Sequence, residues 1–187
     1  MSGFGLSRAR AALLVVDIQD RLVPAMPADV AARVIQNTAI LIDAAARLGL
    51  PIIVSQQYPQ GLGATVRPIE DALAAAASQH GADVRRFDKI EFSAAGAIEP
   101  SARDQLIIVG MEAHVCVYQT ARDLAARGDN VHVVSDAICS RTKANWLIGV
   151  DLVAYAGGIP TSTEVCVFDL LGRAGSDDFK ALSRAIR

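Results

Sequence analysis

Short apolar runs separated by helical patterns constrain this chain more than any other feature. Five runs, "AALLVVD" (11–17), "PIIVSQ" (51–56), "QLIIVG" (105–110), "NVHVVSD" (130–136) and "GGIPTS" (157–162), read as strands, and "DVRRFD" (83–88) is a weaker sixth. Val and Ile fill both faces of the stronger runs. Strands of that kind must be covered on both sides, as in a parallel sheet between two helical layers. Helical spacing fills the gaps. In 28–49, Val30, Val34, Ile40, Leu41, Ala44 and Leu48 recur on one face, and the pattern stops at Gly49 ahead of Pro51. The stretches 113–128, 143–157 and 162–175 repeat the scheme. The alternation predicts an α/β fold: a doubly wound, mostly parallel, Rossmann-like sheet of about six strands with helices on both faces. One domain over 1–187 accommodates it.

Composition fits that reading. Hydrophobic residues make up 52% of the chain and aromatics 5%, which suits close helix-on-sheet packing and argues against disorder. A net charge of −2 gives no basic footprint, so no nucleic-acid or membrane partner is expected. The run at 11–17 is too short for a membrane span and reads as a strand rather than a signal peptide. Three widely spaced cysteines, Cys116, Cys139 and Cys166, make neither a disulfide framework nor a zinc site. A reducing cytoplasm is the expected setting.

Three groups with chemical potential fall at strand ends. Asp17 closes the first strand, Lys89 follows the third, and Cys116 lies just past the fourth in the expected first turn of a helix. Carboxyl ends of parallel strands line one crevice, and the Gly/Pro loop 59–67 opens on the same edge. A helix start lowers a thiol's pKa and offers N–H groups to an oxyanion. A carboxylate can carry the thiol proton to a leaving amine, and a lysine keeps that carboxylate ionised. Each residue also has a plainer reading. Cys116 can be a small buried hydrophobe, Asp17 a helix cap, and Lys89 a solvated loop cation.

Several stretches together resemble the isochorismatase-like cysteine hydrolases, on the branch of the isochorismatase domain-containing proteins. They are "LLVVDIQDRL" (13–22), "SQQYPQGLGAT" (55–65), "FDKIEFS" (87–93), "VGMEAHVCVYQTARDLAARG" (109–128), "VHVVSDAICSR" (131–141) and "TSTEVCVFDLLGRAGSDDFKALSRAIR" (161–187). The resemblance implies a catalytic triad of Asp17, Lys89 and Cys116. It implies a cis peptide between Met111 and Glu112, with Gly110 giving room to turn, and an oxyanion hole of the Glu112 and Cys116 N–H groups. It also implies a homo-oligomer, for which the alanine-rich helices 69–77 and 144–156 offer flat faces. Nicotinamidases of the family carry an Asp and His metal cluster after the second strand. Residues 51–67 hold neither Asp nor His, so no metal is expected. True isochorismatases cleave a vinyl ether without needing this thiol, so Cys116 favours amide-like acyl transfer. Relatives usually read Thr where this chain has Ala113.

Leu22, Gln56, Tyr58 and Phe92 follow strand ends and are candidate pocket walls, with ordinary packing the alternative, and Gln19 joins them as a pocket candidate that reads first as ordering the loop beside Asp17. His114 reads as a helix-start residue that packs or caps, against a base or ligand. Arg141 pairs either with a substrate anion or in a surface or subunit salt bridge. Cys139 and Cys166 read as core or interface thiols, and Trp146 as packing. "GLG" at 61–63 lacks the third glycine of a dinucleotide site and no phosphate loop is present, so no cofactor is expected. The sequence thus points to a metal-independent cysteine hydrolase of a small amide-like C–N bond, acting through a Cys thioester. The alternatives are hydrolysis of a small ester or enol ether, or a mainly interacting role through the homo-oligomer.

Overall fold

The computed structural model describes residues 5–99, 101 and 103–186. Six strands form one parallel sheet: β1 (Ala11–Val16), β2 (Ile52–Gln57), β3 (Val84–Lys89), β4 (Gln105–Met111), β5 (Asn130–Cys139) and β6 (Ile159–Thr161). Their order is β3-β2-β1-β4-β5-β6. Every residue of β1 and β4 is buried, which is why these runs carry no polar face. β3 is an edge strand with Arg85, Arg86 and Asp88 exposed. Charge on an edge discourages pairing with other chains, and it is also why this strand's signal is weak in the sequence.

The helices are α1 (Ala28–Arg47), the single turn α2 (Pro59–Leu62), α3 (Arg67–His80), α4 (Tyr118–Arg127), α5 (Lys143–Tyr155), α6 (Thr163–Leu171) and α7 (Asp177–Ala185). α1 packs with α3, α6 and α7 on one face of the sheet, while α4 and α5 pack together on the other. Two apolar clusters result. One holds Leu13, Val15, Val109 and the α1 face, and the other holds Leu14, Val16, Ile108, Val117 and Leu124. The doubly wound α/β architecture is the one the alternation predicts.

Local departures have physical causes. The expected loop 59–67 contains the helical turn α2, started by Pro59, whose ring presets a helical φ. β5 continues beyond 136 to Cys139, because the ladder to β4 shifts register between Ile108 and Gly110 and then resumes. β6 is shorter than 157–162, with Gly157 at φ +90 in the turn before it. Among the described residues no helix is long and apolar enough to cross a membrane.

The winding reverses between β1 and β4, so a crevice opens at their carboxyl ends. Val16 stands beside Gly110 in β4 and beside Ser55 in β2, and Gln57 stands beside Lys89. Gly110 has φ +121, and a Cβ there would lie 1.9 Å from the Val16 carbonyl oxygen. Only glycine permits β4 to approach the end of β1 so closely.

Candidate active site

Asp17 leaves β1 with φ +52, a left-handed conformation rare for a residue with a side chain. Tyr58, just past β2, has φ +38. Both strained positions lie at the crevice, and strain of this sort persists where surrounding contacts enforce it. For Asp17 those contacts are dense. Its Oδ1 accepts from Ser55 Oγ at 2.7 Å and its Oδ2 from Lys89 Nζ at 2.6 Å. The side chains of Lys89 and Asp17 are 4% and 0% exposed, so this is a buried ion pair. The ammonium also donates to Gln57 Oε1 at 2.8 Å and to the Phe92 carbonyl at 3.1 Å. Its donors are thus spent within the protein, the condition under which a buried cation is tolerated.

Cys116 is 6% exposed. It sits in a π-helical turn, Ala113–Val117, that precedes α4, rather than in the first turn of an α-helix. The thiol lies close enough to Asp17 and Lys89 for both charges to act on it, so residues from three strand ends meet. Burial pushes the thiol's pKa up to about 12; the Asp17 carboxylate adds to the rise and the Lys89 ammonium opposes it. This corrects the expectation of a lowered pKa. A helix terminus acts weakly beside desolvation and a neighbouring anion, so the resting group is a thiol.

The Met111–Glu112 peptide bond is cis. The Glu112 N–H makes no hydrogen bond among the described residues. Its carboxylate Oε2 accepts from both the Arg141 N–H and Nε, each at 3.1 Å. Arg141 is therefore tied within the chain. His114 Nδ1 lies 3.0 Å from Ser140 Oγ, a packing and bridging role. Ala113 is fully buried, and α5 presses on it: a Cβ at Gly149 would lie 2.6 Å from the Ala113 carbonyl carbon.

The five candidate wall residues divide. Gln19 is fully buried, donates to the Gln57 and Gly63 carbonyls at 3.0 and 2.6 Å, and accepts from the Gln57 N–H at 2.8 Å. It staples the loops, with no polar atom turned outward. Gln56 is similarly occupied by Thr65 and Asp88. Leu22 is half-buried against the core. Tyr58 and Phe92 are 52% and 53% exposed, and Ile90 between them and Lys89 is 77% exposed. A cleft of about 390 Å³ lined by Tyr58, Lys89 and Ile90 opens beside the ion pair. Ser55 and Gln57, which orient the pair, are absent from the sequence-derived set. Part of their signal was available: residues two apart on a strand share a face, and Gln57 pairs with Lys89. Asp17 could not be placed there by alternation, because its neighbour Val16 is the one that pairs with Ser55, and the left-handed turn at Asp17 brings its carboxylate across.

Among the described residues, no group of three or more His, Cys, Asp or Glu side chains is placed to hold a metal ion. Cys139 and Cys166 are fully buried, and burial, before any neighbouring charge, pushes each up to about 12.

Comparison with known proteins gives a consistent set of relatives. A family model described as the isochorismatase domain matches residues 11–165. A secreted isochorismatase effector of Phytophthora sojae is 36% identical over 164 residues, covering 82% of this chain and 74% of the relative. Isochorismatase domain-containing protein 1 of Salmo salar is 34% identical over 183 residues, covering 91% of this chain. The chain spans only 59% of that relative's length. A solved structure described as a ribonuclease from Caenorhabditis elegans superposes with a TM-score of 0.86 at 35% identity, covering 97% of this chain and 92% of the other.

Proposed function

This chain belongs to the isochorismatase domain family, and from that premise we propose that it is a metal-independent cysteine hydrolase of a small amide-like C–N bond. The observation that carries the reading is the convergence of a buried carboxylate, its lysine partner and a buried thiol from three strand ends.

Because the resting sulfur is protonated, attack requires a base in contact with it. Asp17 takes the Cys116 proton as the sulfur bonds to the carbonyl carbon. Lys89 balances the negative charge that passes from the carboxylate to the substrate oxygen. The oxyanion is held by the Glu112 and Cys116 N–H groups. As the C–N bond breaks, Asp17 delivers its proton to the leaving amine, leaving a thioester. Water gives a proton to Asp17 and its oxygen to the acyl carbon, and the released sulfur recovers the proton. Tyr58, with the exposed Ile90 and Phe92, forms the rim that the substrate's apolar portion meets.

The test is a panel of small amides, ureido acids and nitriles, with mass spectrometry of acid-quenched protein. The expected result is turnover with an acyl adduct on Cys116, both lost in Cys116→Ala. Unchanged turnover in a folded Cys116→Ala protein would overturn the reading. Ester, enol-ether and single-stranded RNA arms belong in the same panel, because relatives are described as an isochorismatase and a ribonuclease.

Self-association is part of the proposal. α5 is apolar nearly all round, and Leu147, Ile148 and Tyr155 are 47%, 51% and 93% exposed. A helix of that character is normally covered on every side. Light scattering should give a mass above one chain, and Leu147→Glu with Ile148→Lys should reduce it. If no substrate is turned over and the assembly persists, the interacting role gains.

A further inference from the structure

β5 outruns its outer neighbour. β6 ends at Thr161, beside Val134, while β5 continues to Cys139. Residues 135–139 therefore have no β6 partner at the carboxyl end of the sheet, and the Ser135 and Asp136 carbonyls accept instead from the Trp146 and Asn37 side chains. The start of α1 lies on one side of this segment and the start of α5 on the other. Between them is a cavity of about 480 Å³ lined by Val30, Arg33, Val34, Ile138, Lys143 and Trp146 among others. Neither Asp17, Lys89 nor Cys116 contributes to it.

The wall is largely apolar. Val34 and Ile138 are buried at 1% and 2% exposure. The indole is fixed in place, because Trp146 Nε1 donates to the Ser135 carbonyl at 3.1 Å. The rim is cationic. Arg33 and Lys143 are exposed, and among the described residues neither forms an ion pair. Lys143 opens α5, so the helix N-terminus adds positive potential there. The single carboxylate on the wall, Asp136, is engaged through Oδ1 by the Thr163 N–H at 2.8 Å and hydroxyl at 3.0 Å.

An apolar, preformed cavity of this size with a few charges of one sign is the general form of a small-molecule site. We propose that it binds a small amphipathic anion, a hydrocarbon body bearing one carboxylate. The body lies against Trp146, Val34 and Ile138, and the carboxylate meets Arg33 and Lys143. The site is separate from the triad, so it does not depend on the hydrolase reading.

Trp146 is the only tryptophan and lies on the wall of this cavity, so its emission is the probe. The experiment titrates the whole protein with octanoate, with octylamine and octanol as controls for charge. The expected result is a saturable change in emission with octanoate. Binding should weaken about tenfold or more for octylamine, and likewise for octanoate in the Arg33→Ala/Lys143→Ala protein, corresponding to at least about 1.4 kcal/mol. Both substituted residues are exposed, so an unchanged melting temperature shows that the fold survives. Val34→Phe, which fills the cavity, should abolish the response. The proposal is overturned if octanoate gives no saturable change, if octylamine binds as tightly, or if the double variant responds like the parent. It is equally overturned if the emission follows protein concentration instead of ligand, because a second copy then covers the cavity.

Discussion

Gly149 of α5 lies against the backbone of Ala113, with no space between them for a methyl group. A Cβ would sit 2.6 Å from the Ala113 carbonyl carbon and 2.8 Å from the His114 nitrogen. The turn that carries Cys116 is thus seated directly on a helix from the next crossover. Ala113 itself is fully buried.

Gly149→Ala should displace the Cys116 turn. Overpacking of this kind costs about 1–3 kcal/mol, which lowers the melting temperature by about 2–4 °C per kcal/mol in a chain of this size. Thermal melts read the stability, and the rate of Cys116 alkylation should shift with it. A variant that matches the parent in both measurements would show that α5 does not seat the turn.

Lys89→Met should strand the Asp17 carboxylate in a buried site. Breaking one side of such a pair costs about 3–5 kcal/mol, whereas replacing both sides with neutral groups costs much less. Urea denaturation of Lys89→Met, Asp17→Asn and the double variant measures this directly. The double variant should recover most of the loss seen in Lys89→Met.

Asp17→Asn should separate thiol reactivity from turnover. The carboxylate raises the Cys116 pKa and Lys89 lowers it, so removing the carboxylate leaves only the lowering charge. Iodoacetamide labelling at a fixed pH between 7 and 9 should be faster than in the parent, and hydrolysis should fall to background. In the parent, labelling should remain slow at neutral pH and rise throughout the alkaline range, because the thiol titrates near 12.

His132 should make the protein sensitive to acid. It is 3% exposed with Nε2 unpartnered, and burial lowers its pKa from 6.5, partly opposed by Asp169. The folded state therefore resists protonation that the unfolded state accepts. Stability is fully present above pH 6.5, falls as pH drops toward the folded pKa, and levels below it. The slope from this residue is at most about 1.4 kcal/mol per pH unit. His132→Leu should flatten the stability profile between pH 6.5 and 5, measured by denaturation at each pH.

The doubly wound sheet was legible because strand and helix periods alternate along the chain, and both periods are local properties. Asp17, Lys89 and Cys116 could be named as candidates because each follows a run that reads as a strand, although the run before Lys89 is charged and weak, and it was the family resemblance that joined them as a set. The sequence alone therefore determined the layers of the fold and the sheet edge on which these three residues fall. It did not determine the thiol's resting state, because that depends on burial and on charges distant in the chain. Nor did it show which backbone groups the buried Gln19 engages, that Gln56 is taken up by Thr65 and Asp88, that Arg141 is held by Glu112, or that Ser55 and Gln57 orient the ion pair. The cavity beside Trp146 likewise is formed where the starts of α1 and α5 meet the end of β5. Each of these follows from contacts between segments tens of residues apart, and only the tertiary structure decides which polar group meets which.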